Sequence, residues 1–72
     1  YTLPRSGRIR LDVFDARGHL VRTLVAGEAA AGTASVIWSG DDAAGRAVSS
    51  GVYLLRLVTD ERSTSRSVTL VR

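Results

Sequence analysis

The chain has no cysteine and no lysine, and only one histidine and one proline. Without cysteine no disulfide can form, and a closed zinc site of Cys/His type is excluded. Without lysine, all ten basic residues are arginine, which reads as a bias of composition rather than the mark of a partner. They are dispersed among seven acids, at Arg5, Arg8, Arg10, Arg17, Arg22, Arg46, Arg56, Arg62, Arg66 and Arg72, for a net charge of +3. A nucleic-acid surface wants a clustered basic face with stacking aromatics, so no nucleic acid is expected as a partner. Apolar runs are short as well. None approaches the ~20 residues that cross a bilayer, so no membrane span is expected. The missing cysteine is compatible with export and with a cytosol alike.

Seventy-two residues allow one domain, here residues 1–72. A domain of this size buries only roughly 60% of the surface that its unfolded chain exposes. With no disulfide to help, stability must come from a well-patterned core or from a larger protein around it. The start at Tyr1 reads as a cut from a longer chain, with the module within or at the C-terminus of that protein.

What the sequence does have is alternation with a period of two. Ile9, Leu11 and Val13 share one face of a strand over residues 8–13, with charged residues on the other. Asp15-Ala16-Arg17-Gly18 is a tight turn with glycine where a positive φ is needed. Residues 19–25 then return as the partner strand of a hairpin. The stretch Gly27–Gly32 reads as a connection between sheets, too short between glycines for a helix. A third strand is expected over 33–38, with Ala34, Val36 and Trp38 on one face. A second tight turn covers 40–46, and a short strand at 47–48 is an option. The longest strand runs from Gly51 to Thr59, with Tyr53, Leu55 and Leu57 facing one way. Residues 60–62 turn, and 63–71 close the domain with Val68 and Leu70 inward. The expected core is Leu11, Val13, Val36, Trp38, Tyr53, Leu55 and Leu57. The Trp38 indole N–H should find a carbonyl or water at the sandwich edge. No helix and about six to seven short strands at roughly ten-residue spacing indicate an all-β, immunoglobulin-like antiparallel β-sandwich.

Asp15–Val21 and Asp42–Val48 both read D-x-x-G-x-x-V. In each, the carboxylate should bond backbone N–H groups two or three residues on, while Gly18 or Gly45 supplies the left-handed residue. Gly51 allows a sharp start to the longest strand. This grammar also decides the chemistry of "SGDDAAGR". A calcium loop wants acids at alternating positions, and Ala43 and Ala44 stand where later ligands belong. A phosphate loop wants Lys-Ser/Thr and then a helix, whereas Arg46-Ala47 and then a strand follow. His19 directly follows a turn glycine and has no nucleophile pattern around it. No catalytic residue, metal ligand or cofactor is therefore expected, and the chain is not expected to be an enzyme.

One feature exceeds what a core requires. The strand from Gly51 to Thr59 is apolar on both faces. With Tyr53, Leu55 and Leu57 inward, Val52, Leu54 and Val58 face out. Phe14 and Ile37 also fall on the non-core side of their strands. Several such residues on one sheet face make a patch, and patches mark contact surfaces. Phe14, Ile37, Val52, Leu54 and Val58 form the candidate contact face, with protein as the expected partner.

Several stretches together resemble a known family. Tyr1-Thr2-Leu3-Pro4 opens the chain. Residues 13–24, VFDARGHLVRTL, resemble a "VYDxxGRxVRTL" pattern, and residues 50–57, SGVYLLRL, resemble "SGVYFYRL". Between them stand Ala31-Gly32, Val36-Ile37-Trp38, Gly40-Asp41-Asp42 and Gly45. In this order and spacing the chain resembles the FlgD-type Ig-like module, named for the flagellar hook-capping protein, and the C-terminal sorting domains of type IX secretion cargo. The resemblance implies a β-sandwich at or near the C-terminus of a secreted or cell-surface bacterial protein. Its partners would be a secretion apparatus, the adjacent domain of the parent protein or like subunits. The module would then be a sorting address, an attachment module, or a self-associating subunit of a filament or appendage. Two positions depart from the pattern: Ser39 follows Trp38 where Asp or Asn is usual, and only Arg66 remains of a basic pair in the last strand.

Overall fold

Alternation makes the sheet, and two aspartate-glycine turns hold its corners. The computed structural model describes residues 1–71, and Arg72, the last residue of the expected domain, lies outside them. Among the described residues there are six strands and no helix: β1 (Thr2–Leu3), β2 (Gly7–Asp15), β3 (Leu20–Ala29), β4 (Gly32–Thr33), β5 (Gly51–Thr59) and β6 (Ser63–Leu70). Every pairing is antiparallel. β3-β2-β5-β6 form a four-stranded sheet in that order, and β1-β4 form a two-stranded one. This is the all-β, Ig-like arrangement expected from the sequence.

Register assigns the faces. Ile9, Leu11 and Val13 stand beside Thr59, Leu57 and Leu55, and Tyr53 stands beside Val68. These residues form the inner face. Leu3, Ile9, Val13 and Tyr53 are buried, and Val13 is 0% exposed. Trp38 packs edge-on against Tyr53 with ring centroids 5.0 Å apart. The Trp38 indole N–H donates to the Asp41 carbonyl at 2.8 Å, the carbonyl partner that an edge tryptophan needs. The Tyr53 hydroxyl donates to the Ser49 carbonyl at 2.6 Å, the link of a tyrosine corner. Leu11, Leu55, Leu57 and Trp38 are half-buried. The radius of gyration, 12.5 Å, exceeds the about 11 Å usual for this length. Among the described residues the core is therefore thin.

Three elements differ from the sequence expectation. The stretch Gly27–Ala29 is strand rather than connection. β2 begins at Gly7 and so offers ladder partners to it, with Gly7 opposite Ala29 and Arg8 opposite Glu28. A waiting partner outweighs low intrinsic β-propensity. Conversely, the expected strand over 33–38 keeps only Gly32–Thr33, opposite Leu3 and Thr2. In this antiparallel register the next residue, Ala34, still exchanges bonds with Tyr1, its N–H donating to the Tyr1 carbonyl at 2.9 Å and its carbonyl accepting from the Tyr1 amine at 2.8 Å. Among the described residues no strand pairs with residues 35–38, and Val36, expected in the core, is 40% exposed. Finally, the short strand at 47–48 is reduced to a single bridge, Asp41 to Ala47. Leu3, buried on β1 opposite Gly32, was missed because a two-residue strand shows no period.

Candidate protein-contact faces

The two turns come first, because they carry the residues on which metal or phosphate chemistry would depend. Asp15 Oδ1 accepts from the N–H groups of Arg17 and His19, both at 2.9 Å. Asp42 Oδ1 accepts from those of Ala44 and Arg46, at 2.9 and 3.0 Å. The bonds thus reach two and four residues on, where two or three were expected. Gly18 and Gly45 take φ of 86° and 81°, as the turn grammar requires. The backbone N–H donated by His19 is the largest cause holding the Asp15 carboxyl below its ordinary value, and that of Arg46 does the same for Asp42. Asp41 is engaged differently. Its Oδ1 accepts from Arg22 Nη1 at 2.7 Å, and Ala43 N–H donates to the Val21 carbonyl at 3.2 Å. Both bonds fasten the 40–46 turn to β3. Arg22 Nε is buried beside this pair and finds no acceptor among the described residues. Asp41 and Asp42 thus serve a turn and its anchoring. His19 is exposed just ahead of β3, its Nδ1 3.6 Å from Asp15 Oδ2.

The outer face of the four-stranded sheet has two unlike ends. At one end Phe14 stands opposite Leu54 on β5 and opposite Leu20 on β3. Val52 lies two residues before Leu54, on the same side of β5. Leu20, Val52 and Leu54 are 51%, 52% and 37% exposed, and Phe14 is half-buried. Their neighbours on β6 are Thr69 and Ser67, too short to cover them. The Arg56 guanidinium lies 5.8 Å from the centroid of the Phe14 ring, a cation–π contact that shields one side of it. Leu20 was not among the residues singled out from sequence. It follows the turn glycine and His19, before any alternation is established, so only pairing reveals its face.

At the other end a charge is folded into the sheet surface. Asp12 is 6% exposed although it faces outward. Arg10 Nε donates to both carboxylate oxygens, at 3.0 and 2.8 Å, and Thr23 Oγ1 donates to Oδ1 at 2.6 Å. Arg10 Nη2 reaches Thr23 Oγ1 at 3.3 Å. A buried carboxylate needs such partners. The β2-β3 register shifts twice at this point, between Leu11 and Asp12 and between Val13 and Phe14, each time leaving one extra residue on β3, Leu24 and then Val21. Sequence alternation foretold only a charged face, not this closed network. An apolar patch thus lies beside a satisfied polar cluster on one sheet face.

The structure therefore brings Phe14, Val52 and Leu54 together. It sets Val58 apart, beyond Arg56, opposite Arg10 and Ser63. Ile37 is 88% exposed but belongs elsewhere. It lies between Val36 and Trp38 on the segment that crosses the inner face, so it cannot share a surface with Phe14.

On the inner side, the described residues leave a cleft of about 660 Å³ between β1, the 34–36 segment and the strands β5 and β6. Leu11, Leu55 and Leu57 floor it and Val36 borders it.

No curated protein and no solved structure proved similar to the chain. A family model does match, described as the FlgD Ig-like domain, over residues 2–63. That span takes in both aspartate turns, Trp38 and all of β5, the features that fix this architecture. The chain belongs to the FlgD Ig-like domain family.

Proposed function

We propose that the chain is a non-catalytic Ig-like module of an exported bacterial protein, acting in C-terminal sorting or surface attachment by holding a protein partner against the outer face of β2 and β5. The observation that carries this reading is the cluster of exposed Leu20, Val52 and Leu54 around half-buried Phe14 on one sheet face. Burying such a cluster contributes roughly 25 cal/mol per Å² of apolar area removed from water. Membership of the FlgD Ig-like family supports an extracellular setting, and the resemblance to type IX sorting domains supports an address read by a secretion apparatus. The carboxylates that chemistry would need are occupied in turns, in the Arg22 pair and in the Arg10–Thr23 cluster. The module works through shape and contact, without a cofactor.

The test is a fusion of residues 1–72 to a passive reporter in a host carrying type IX secretion. Delivery of the reporter to the cell surface or medium is the expected result. A folded reporter left in the periplasm overturns the sorting role.

A second reading, a self-associating subunit of an extracellular filament or appendage, is favoured by the free edge of β6 at the end of the sheet. Sedimentation of the purified domain separates the two. A strict monomer at high concentration rules the filament subunit out.

A further inference from the structure

We infer that the partner held against the outer face of β2 and β5 is a protein segment that sets an aspartate or glutamate carboxylate beside its apolar side chains, with Arg56 as the residue that reads it. The inference rests on the contact face proposed above and names the chemistry of what that face holds. Arg56 follows Leu54 by two residues on the same side of β5, and its guanidinium lies over the Phe14 ring, 5.8 Å from the centroid. A partner that covers Phe14 and Leu54 therefore covers Arg56 as well.

Register leaves this charge unmatched. Asp12 stands directly opposite Arg56 in the β2-β5 ladder, where opposite charges pair across strands. Yet Arg10 Nε donates to both Asp12 oxygens, at 3.0 and 2.8 Å, and Thr23 Oγ1 donates to Oδ1 at 2.6 Å. Arg56 is exposed and has no ion pair among the described residues. The other charges of this face have partners: Arg10 lies 2.8 Å from Asp12, and Arg8 lies 4.0 Å from Glu28. The one unpaired cation thus sits at the border of the apolar patch.

Charge selects the occupant. Drying an unpaired guanidinium under an apolar surface is costly. A carboxylate placed over it accepts two parallel N–H bonds instead. On β6, Ser65 stands opposite Arg56 and Ser67 opposite Leu54, both exposed, so further hydroxyl donors flank the place that this carboxylate takes. A second copy fits poorly, because the acids of its own outer face, Asp12 and Glu28, already lie beside arginines.

The probe is a displayed library of random dodecapeptides, selected on the immobilised 72-residue domain. Peptides that bind the domain but not its Phe14→Ser, Leu54→Ser variant should be enriched in Asp and Glu over the starting library. Their affinity should fall about tenfold on Arg56→Gln, the effect of one charge-assisted contact. Selection on Arg56→Glu should enrich Lys and Arg in place of the acids. Retained melting transitions show that the variants are folded. Peptides that need Phe14 and Leu54 but show no charge preference, or bind Arg56→Gln as tightly, overturn the inference and leave the contact face standing. A library that yields no peptide dependent on Phe14 and Leu54 overturns both. Binding to phosphatidylglycerol vesicles that is lost in Arg56→Gln, with no acidic peptide enriched, also overturns the inference, because the anion is then a lipid headgroup.

Discussion

Asp15 and Asp42, 27 positions apart in the sequence, hold their turns by the same four hydrogen bonds. In each turn one carboxylate oxygen accepts from the N–H groups two and four residues on. The Asp backbone N–H donates to the carbonyl four residues on, and the glycine N–H donates back to the Asp carbonyl, at 2.9 and 3.0 Å in the first turn and 2.9 Å for both in the second. The first turn closes the β2-β3 hairpin. The second is tied to β3 through Arg22 and Val21, so the device that makes one corner also places the loop that carries Trp38.

This arrangement has a pH signature. Both carboxyls titrate below their ordinary value of 3.8 in the folded chain, chiefly because of the N–H groups of His19 and Arg46. A depressed carboxyl contributes stability above the unfolded pKa and loses it as pH falls through the folded one. The urea midpoint should therefore hold from neutral pH to about pH 4 and fall below it. The double variant Asp15→Asn, Asp42→Asn keeps the shape and removes the charge. It should be less stable at neutral pH and lose less on acidification. Parallel curves for the two proteins would contradict the assignment.

The glycines of these turns are there for backbone conformation alone. A Cβ built on Gly45 meets nothing within 4 Å, yet φ is +81°. Gly45→Ala should cost about 1–2 kcal/mol, the strain of a left-handed L-residue. Gly45→Asn should cost less, since asparagine tolerates that region. Chemical denaturation measures both, and equal losses would point to a steric cause that the structure does not contain.

Val13 and Val36 separate pattern from partner. Both lie on the apolar side of an alternating stretch. Val13 has strands on either side and no exposure, whereas Val36 borders the cleft. Val13→Ala should destabilise by about 2–3 kcal/mol, from lost transfer energy plus a cavity. Val36→Ala should stay within about 0.5 kcal/mol. Comparable losses would mean that the 34–36 segment closes over the core.

The contrast also shows how much the sequence disclosed. The span of β5 was legible residue for residue, because alternation from Tyr53 to Leu57 begins at a glycine and ends at a turn. The aspartate turns were legible because their chemistry is local. The extension of β3 through Gly27 was not, since it depends on what the neighbouring strand offers. The same limit applied to the contact face. Phe14, Val52 and Leu54 were visible from period alone. Leu20 needed the pairing with Phe14, and Ile37 needed the course of a loop to be set apart. Asp12 read as a solvated charge because its partners, Arg10 and Thr23, come together only through the hairpin register.

The most direct test of the account is delivery of the reporter fusion with the outer face altered. Phe14→Ser with Leu54→Ser removes the centre of the patch and leaves Val13, Tyr53 and Trp38 in place. The account predicts that the unaltered fusion reaches the cell surface or medium while the variant, with its melting transition retained, stays in the periplasm. Equal export of the two folded fusions would contradict the claim that this sheet face is what the partner reads.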